Sequence, residues 1–113
     1  KVDALDLDRT YGIVLADERW HAGVIGIVAS RVVEETGRPA VLVAVEDGVG
    51  KGSGRSISRF DLHAALTTCD ERGLFERFGG HRAAAGVTLA ASKLPAFAEA
   101  FDAVAHERLQ PDD

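Results

Sequence analysis

Residues 22–47 read AGVIGIVASRVVEETGRPAVLVAVED, and how this stretch divides decides the fold. Val24, Ile25, Val28, Val32 and Val33 recur at helical spacing, with Ser30, Arg31, Glu34 and Glu35 on the other side, so its first half reads as an amphipathic helix. Gly37 suits the C-cap and Pro39 sits just beyond, which ends the helix. Gly26 inside it costs about 1 kcal/mol relative to alanine; its expected use is to let the helix backbone lie close against a neighbour. Residues 40–47 then read as a buried strand rich in β-branched side chains. Upstream, YGIVLAD (residues 11–17) is a second short apolar run of the same kind. Strand, helix and strand in this order predict a βαβ unit with its two strands parallel.

Working outward, residues 61–69 read as a short helix, with Asp61 at the N-cap and Leu62, Ala65, Leu66 and Cys69 on one face. DERGLFERF (70–78) reads as a further helical turn or two, and AAAGVTLA (83–90) as a strand of small residues. Ser92 opens a last helix whose apolar stripe is Leu94, Phe97, Ala98, Phe101, Val104 and Ala105. The expectation is an α/β fold in one domain, a mixed sheet core of about four to five strands with flanking helices. That domain runs over residues 11–109, with residues 1–10 and 110–113 as linkers. No internal repeat or low-complexity segment interrupts it.

At 113 residues, 46% of them apolar, the chain has material for one real core and not for two. No apolar run approaches the ~20 residues of a membrane helix, and the polar opening KVDALDLDRTYG lacks the apolar centre of a secretory leader. The sequence contains no methionine, even at position 1, which reads as a piece of a longer protein. Cys69 is the only cysteine, so no internal disulfide forms and a reducing compartment, the cytoplasm, is expected. In its apolar helical setting it reads as core filler.

The net charge of −5 argues against a general polyanion binder, yet the charge is unevenly spread. Residues 1–50 are net −4 and residues 83–113 net −3, whereas residues 51–82 carry six basic and four acidic side chains, net +2. Within or beside that middle segment lie two stretches that suit an anion. In DGVGKGSGRSI (47–57), glycine falls at 48, 50, 52 and 54. If extended, the segment has one bare face and another presenting Val49, Lys51, Ser53, Arg55 and Ile57. A bare face admits a backbone or a ligand. A cation, a hydroxyl and a guanidinium on the other make a phosphate-holding edge, since Arg forks two oxygens. The spacing is neither a P-loop nor GxGxxG, and the competing reading is a flexible hairpin tip. In FGGHRAAAG (78–86), Gly79 and Gly80 are able to adopt positive φ and expose consecutive N–H groups as an anion nest, with His81 as an adjustable donor. The competing reading there is a Gly-Gly turn with a surface histidine. Trp20 reads as a seal at the end of the core or as a stacking platform, and His21 as a helix cap or a ligand contact. His21, His63, His81 and His106 are scattered, without HxxxH or CxxC spacing, so no metal site is expected.

Taken together, WHAGVIGIVASRVVEETGRPAVLVA (20–44), GKGSGRSISRFDLHAAL (50–66) and FERFGGHRAAAGVTL (75–89) resemble, in order and spacing, the DHH-associated domain of RecJ-type exonucleases within the DHH phosphoesterase superfamily. The resemblance runs from about Tyr11 to Phe101. It implies a substrate-holding domain for single-stranded DNA in repair and recombination. Family members carry Asp and His ligands for Mn2+ or Mg2+ in a separate N-terminal domain. No Asp-His dipeptide occurs here, so the resemblance implies no catalytic residue and no cofactor held by this chain, and no nuclease activity from it alone. The family's phosphate-binding serine and arginine correspond to Ser53 and Arg55, and its Gly-Gly-His near the scissile phosphate to Gly79, Gly80 and His81. Lys51, Ser56 and Arg82 stand beside them as second-tier candidates. The implied partners are single-stranded DNA, the DHH catalytic domain and a following oligonucleotide-binding fold of the same polypeptide, with no membrane. Two alternatives stay open: the equivalent domain of a phosphodiesterase for short oligonucleotides or cyclic dinucleotides, and a non-catalytic interaction module whose glycines serve only packing.

Overall fold

The computed structural model describes residues 10–109, so the expected linkers 1–10 (apart from Thr10) and 110–113 lie outside the described residues. Strand β1 (Ile13–Asp17) is followed by helix α1 (Ile25–Thr36) and strand β2 (Ala40–Glu46), which pairs with β1 in parallel as the βαβ reading requires. Asp47 and Gly48, at φ 54° and 78°, make a tight left-handed turn into antiparallel β3 (Val49–Arg55). Helix α2 (Leu62–Asp70) then leads to a hairpin of β4 (Arg77–Gly80) and β5 (Ala84–Ala90). Strand β5 pairs with β3, giving one mixed five-stranded sheet in the order β1-β2-β3-β5-β4. One 3-10 turn (Ala91–Lys93) precedes the last helix, α3 (Leu94–Arg108).

The strand period of two sorts β2 between two cores. Ala40, Leu42 and Ala44 pack with Ile13 against Ile25, Ala29 and Val32 of α1. Val41 and Val43 face the opposite layer, where Leu62, Leu66 and Cys69 of α2 meet Phe97, Phe101 and Val104 of α3. The Asp102 carboxylate of α3 accepts the N–H groups of Tyr11 (2.8 Å) and Gly12 (2.9 Å), which fixes the entry to β1. Local signals behave as their chemistry dictates. Gly37 takes φ 68° and closes α1 by donating its N–H to the Val33 carbonyl, and the Asp61 side chain accepts from Ala64 N–H at 3.0 Å.

Three expectations need correction. Helix α1 docks through Ile25, Ala29 and Val32, and this rotation leaves Val24 (47%), Val28 (39%) and Ile27 (62%) exposed. Residues 70–78 do not continue as helix: Gly73, at φ 75°, ends the turn after α2, and Arg77 and Phe78 already belong to β4. The glycine comb of β3 is no hairpin tip and its bare side admits no ligand. Gly50, Gly52 and Gly54 are buried against the α2–α3 core, and a Cβ at Gly52 would come within 2.8 Å of Val87 Cγ2 and 3.2 Å of both Val41 and Val43. Those glycines let β3 carry no side chain where its neighbours' valines already fill the space.

Gly52→Ala therefore overpacks a layer closed on both sides. The expected loss is about 1–3 kcal/mol, less up to ~1 kcal/mol regained from the stiffer unfolded chain, read as a lower urea midpoint at unchanged m-value.

Candidate functional site

Because Gly50, Gly52 and Gly54 point inward, alternation turns Lys51, Ser53 and Arg55 to the face that α1 covers in part. Gly26 of α1 lies over this row. A Cβ there would fall 2.7 Å from Arg55 Nη2 and 3.8 Å from Ser53 Oγ. The close approach expected of Gly26 is real, and the neighbour it admits is the guanidinium tip beside the serine hydroxyl. Arg55 Nη1 donates to the Gly54 carbonyl at 2.7 Å. A carbonyl orients the group without neutralising it, so its charge stays available to an anion.

The β4–β5 hairpin meets the same end of β3. Ser56 N–H donates to the Ala83 carbonyl at 3.0 Å, and Leu62 N–H to the Arg82 carbonyl at 2.9 Å. Arg82 Nη2 reaches the Ser58 carbonyl at 3.1 Å, and Ser56 Oγ reaches the Phe60 carbonyl at 2.7 Å. These bonds clamp the hairpin tip to the loop after β3. Ser56 and Arg82 thus hold backbone carbonyls, a scaffold role.

The Gly-Gly nest is not formed. Gly79 pairs with Gly86 inside the β4–β5 ladder, only Gly80 has positive φ (143°), and His81 N–H already donates to the Ala84 carbonyl at 2.9 Å. The turn is His81–Ala83, and the glycine pair lies in the strand before it. At Gly80 a Cβ would come 2.5 Å from the Ala84 carbonyl oxygen, so this glycine serves the tight hairpin. His81 stands exposed, its Nδ1 accepting from Ala83 N–H at 3.4 Å, which leaves Nε2 facing outward as a donor. His21 makes a similar local bond, Nδ1 accepting from Gly23 N–H at 3.0 Å, just before α1. Trp20 is half-buried and packs against the α1-side core.

Register shows more than the linear motifs did. Ser53 stands opposite Gly86, and Gly86 opposite Gly79, so one row across the sheet runs from hydroxyl to two bare positions. The row beside it is Lys51, Thr88 and Arg77. Helix α1 packs on β2 and β3, and an open groove of about 480 Å3 lies over β3, β5 and β4, lined by Lys51, Arg77, Gly79, Gly86 and Thr88 among others. Arg77, Thr88 and Gly86 were not singled out from the sequence. The missed signal was that 77–80 is strand, which aligns Arg77 with Thr88.

Among the described residues, no group of three His, Cys, Asp or Glu side chains is placed to hold a metal ion. Nor does any helix there have the length and apolarity to cross a membrane. Cys69 is fully buried, and burial pushes its thiol up to about 11 against the opposing pull of Arg72 and Arg108. It is core filler, not a nucleophile.

A family profile for the DHHA1 domain matches residues 9–107. The single-stranded-DNA-specific exonuclease RecJ of Bacillus subtilis is 40% identical over 114 residues, covering 99% of this chain and 14% of its own length. The Escherichia coli enzyme of the same name is 40% identical over 103 residues, covering 88% of this chain and 18% of its own. A crystal structure of RecJ from Thermus thermophilus in complex with Mn2+ superposes with a TM-score of 0.83 at 38% identity, over 97% of this chain and 16% of that one. The chain thus spans less than a fifth of the length of these relatives.

The raised thiol sets a pH test. A folded pKa of about 11 against an unfolded value of ~8.5 means the thiol's contribution is full below about pH 8.5 and is lost as pH rises toward 11. At pH 8 the native protein should leave Ellman's reagent unreacted for hours, whereas urea-unfolded protein releases one equivalent of chromophore at once.

Proposed function

The chain belongs to the DHHA1 domain family, and we propose that it is the substrate-holding domain of a RecJ-type exonuclease, gripping phosphates of single-stranded DNA for a separate catalytic domain. The observation that carries this reading is the convergence of Arg55 and Ser53 beneath Gly26, three residues from two distant motifs meeting at one polar, accessible point. A guanidinium and a hydroxyl side by side match the oxygens of a terminal phosphate. Lys51, one alternation away on the same strand face, lines the open groove instead. His81, on the hairpin clamped to this end of β3, offers its Nε2 toward a further phosphodiester oxygen; Gly79 leaves the approach to it bare, and Gly80 allows the tight turn that presents it.

In this reading the chain's own residues bind, orient and neutralise. The related crystal structures contain Mg2+ or Mn2+, and such an ion polarises phosphodiesters and activates water when bound. The donor set here does not fit one: Cys69 is buried and protonated, and the histidines are not grouped among the described residues. No chemical step is therefore assigned to this chain, and the catalytic machinery lies elsewhere in the longer protein. Val24, Ile27 and Val28, exposed on α1 beside the site, suit contact with such a neighbouring domain. A following oligonucleotide-binding fold, a role in DNA repair and recombination, and a cytoplasmic location complete the proposal.

Arg55→Ala should weaken binding of a 5′-phosphorylated oligodeoxynucleotide by about 10- to 100-fold, matching ~1.5–3 kcal/mol for a charge-assisted contact. Arg55→Lys should restore only part of it, because the fork is lost. An unchanged dissociation constant for Arg55→Ala in NMR-monitored titration would sink the assignment.

Gly26→Ala separates function from stability. Alanine favours the helix by up to ~1 kcal/mol, and its methyl displaces only the mobile guanidinium end, 2.7 Å away. Thermal stability should hold or rise while phosphate affinity falls several-fold.

A further inference from the structure

We propose that Lys51, Thr88 and Arg77 form a second phosphate seat, which takes an internal phosphodiester of the same single strand whose end Ser53 and Arg55 hold. The inference rests on that reading of Ser53 and Arg55 and extends it across the sheet. The three residues stand opposite one another on adjacent strands β3, β5 and β4, so their side chains share one face. Lys51 and Arg77 are exposed, and neither has a hydrogen-bond or ion-pair partner among the described residues. Arg19, by contrast, is closed onto Asp17 at 2.9 Å, and Lys93 Nζ onto the Gly73 carbonyl at 2.7 Å. The hydroxyl of Thr88 lies between the two cations in the row, so the row offers two charges with a neutral donor at its centre.

Distance separates this seat from the first. Strands lie ~4.8 Å apart and alternate residues ~6.8 Å along a strand, which puts the backbone of Arg77 roughly 12 Å from that of Ser53. The Arg55 tip converges on Ser53 and Gly26, toward α1, and Arg77 stands two strands away on the far side of the groove. The two clusters therefore serve separate phosphates. Between them the floor is Gly86 and Gly79. Neither has positive φ, a Cβ at Gly79 would meet nothing within 4 Å, and one at Gly86 would meet only the Gly52 carbonyl at 3.6 Å. Backbone conformation and internal packing leave both positions free to carry a side chain. Their bareness instead keeps the sheet open to a sugar-phosphate chain passing from one cluster to the other. Glu46 and Asp47 line the neighbouring cleft beyond Lys51 and bound the track on that side by repulsion.

The test compares ligand lengths by NMR-monitored titration of the 113-residue chain with 5′-thymidine monophosphate and with 5′-phosphorylated hexathymidylate. The double variant Lys51→Ala, Arg77→Ala should bind the hexanucleotide about 10-fold more weakly and bind the mononucleotide as before. The slope of log affinity against log salt for the hexanucleotide should shrink by about 0.7, the single-strand increment for one phosphate contact. Thr88→Val, which keeps the shape and removes the hydroxyl, should lower hexanucleotide affinity about 3-fold. Unchanged hexanucleotide binding by the double variant, or an equal loss for both ligands, overturns the second seat. Arg55→Ala is the parallel arm. If it spares both ligands, the terminal-phosphate reading fails, while the length dependence in the double variant still reports on Lys51 and Arg77 by itself.

Discussion

Everything at the site depends on the period-two constraint of β3. A strand that places three glycines against valines on one side has no choice about where its other residues go, and these are Lys51, Ser53 and Arg55. The inward glycines give β3 no hydrophobic side chain of its own on the α2–α3 side, a loss in most strands. Here Val41, Val43, Val87 and Leu89 from the flanking strands occupy that layer instead. Register is correspondingly strict: a slip of one residue would drive a lysine and an arginine into the α2–α3 core and set bare glycine beneath α1. The polar face is thus held in place by packing on the face opposite, and Arg55 meets Gly26 only because that register holds.

Part of this was legible in the sequence because it is local. The helix stop at Gly37, the cap at Asp61, the alternation in 47–57 and the parallel pairing of β1 with β2 each follow from a few adjacent residues. What was not legible depended on a third element. Which face of the glycine comb turns inward is settled by Val41, Val43 and Val87, two strands' worth of residues outside the motif. The rotation of α1 is settled by small Ala40 and Ala44 on β2, which accept Ile25, Ala29 and Val32 and leave Val24 and Val28 in the open. The Asp47-Gly48 pair was a two-residue hairpin signal that periodicity alone passes over.

Residues 70–78, whose pattern predicts a further helical turn or two, show the same limit from the other direction. FERF has an apolar spacing compatible with helix, and Phe75 does pack in the core beside Phe97, ring centroids 5.1 Å apart. Yet Gly73 in the left-handed region ends the turn after α2, and pairing with β5 supplies the hydrogen bonds that ERFGG (76–80) would otherwise have found within a helix. With 77–80 as a strand, the glycine pair ceases to be a turn and becomes part of a sheet floor. The resemblance matches Gly79, Gly80 and His81 to a substrate-facing role, and in the structure the two glycines form no nest. Gly79 leaves the floor bare, Gly80 allows the tight hairpin, and His81 sits at its tip.

An acidic chain with a cation-bearing sheet face poses no contradiction once the partners of its cations are compared. Arg19 is closed by a carboxylate, so its charge is cancelled locally. Arg55 and Arg82 are held by backbone carbonyls, which fix direction and leave the charge intact. Arg77 and Lys51 have no partner among the described residues. What distinguishes the β3–β5–β4 face is therefore not an excess of basic residues but the absence of carboxylates bonded to those it has. Electrostatic reach falls off within a Debye length of ~8–10 Å in physiological salt, so the acidic remainder of the chain weighs little on these exposed cations. In the proposed reading, affinity comes from short contacts at defined positions and scales with how many phosphates a strand lays across the floor.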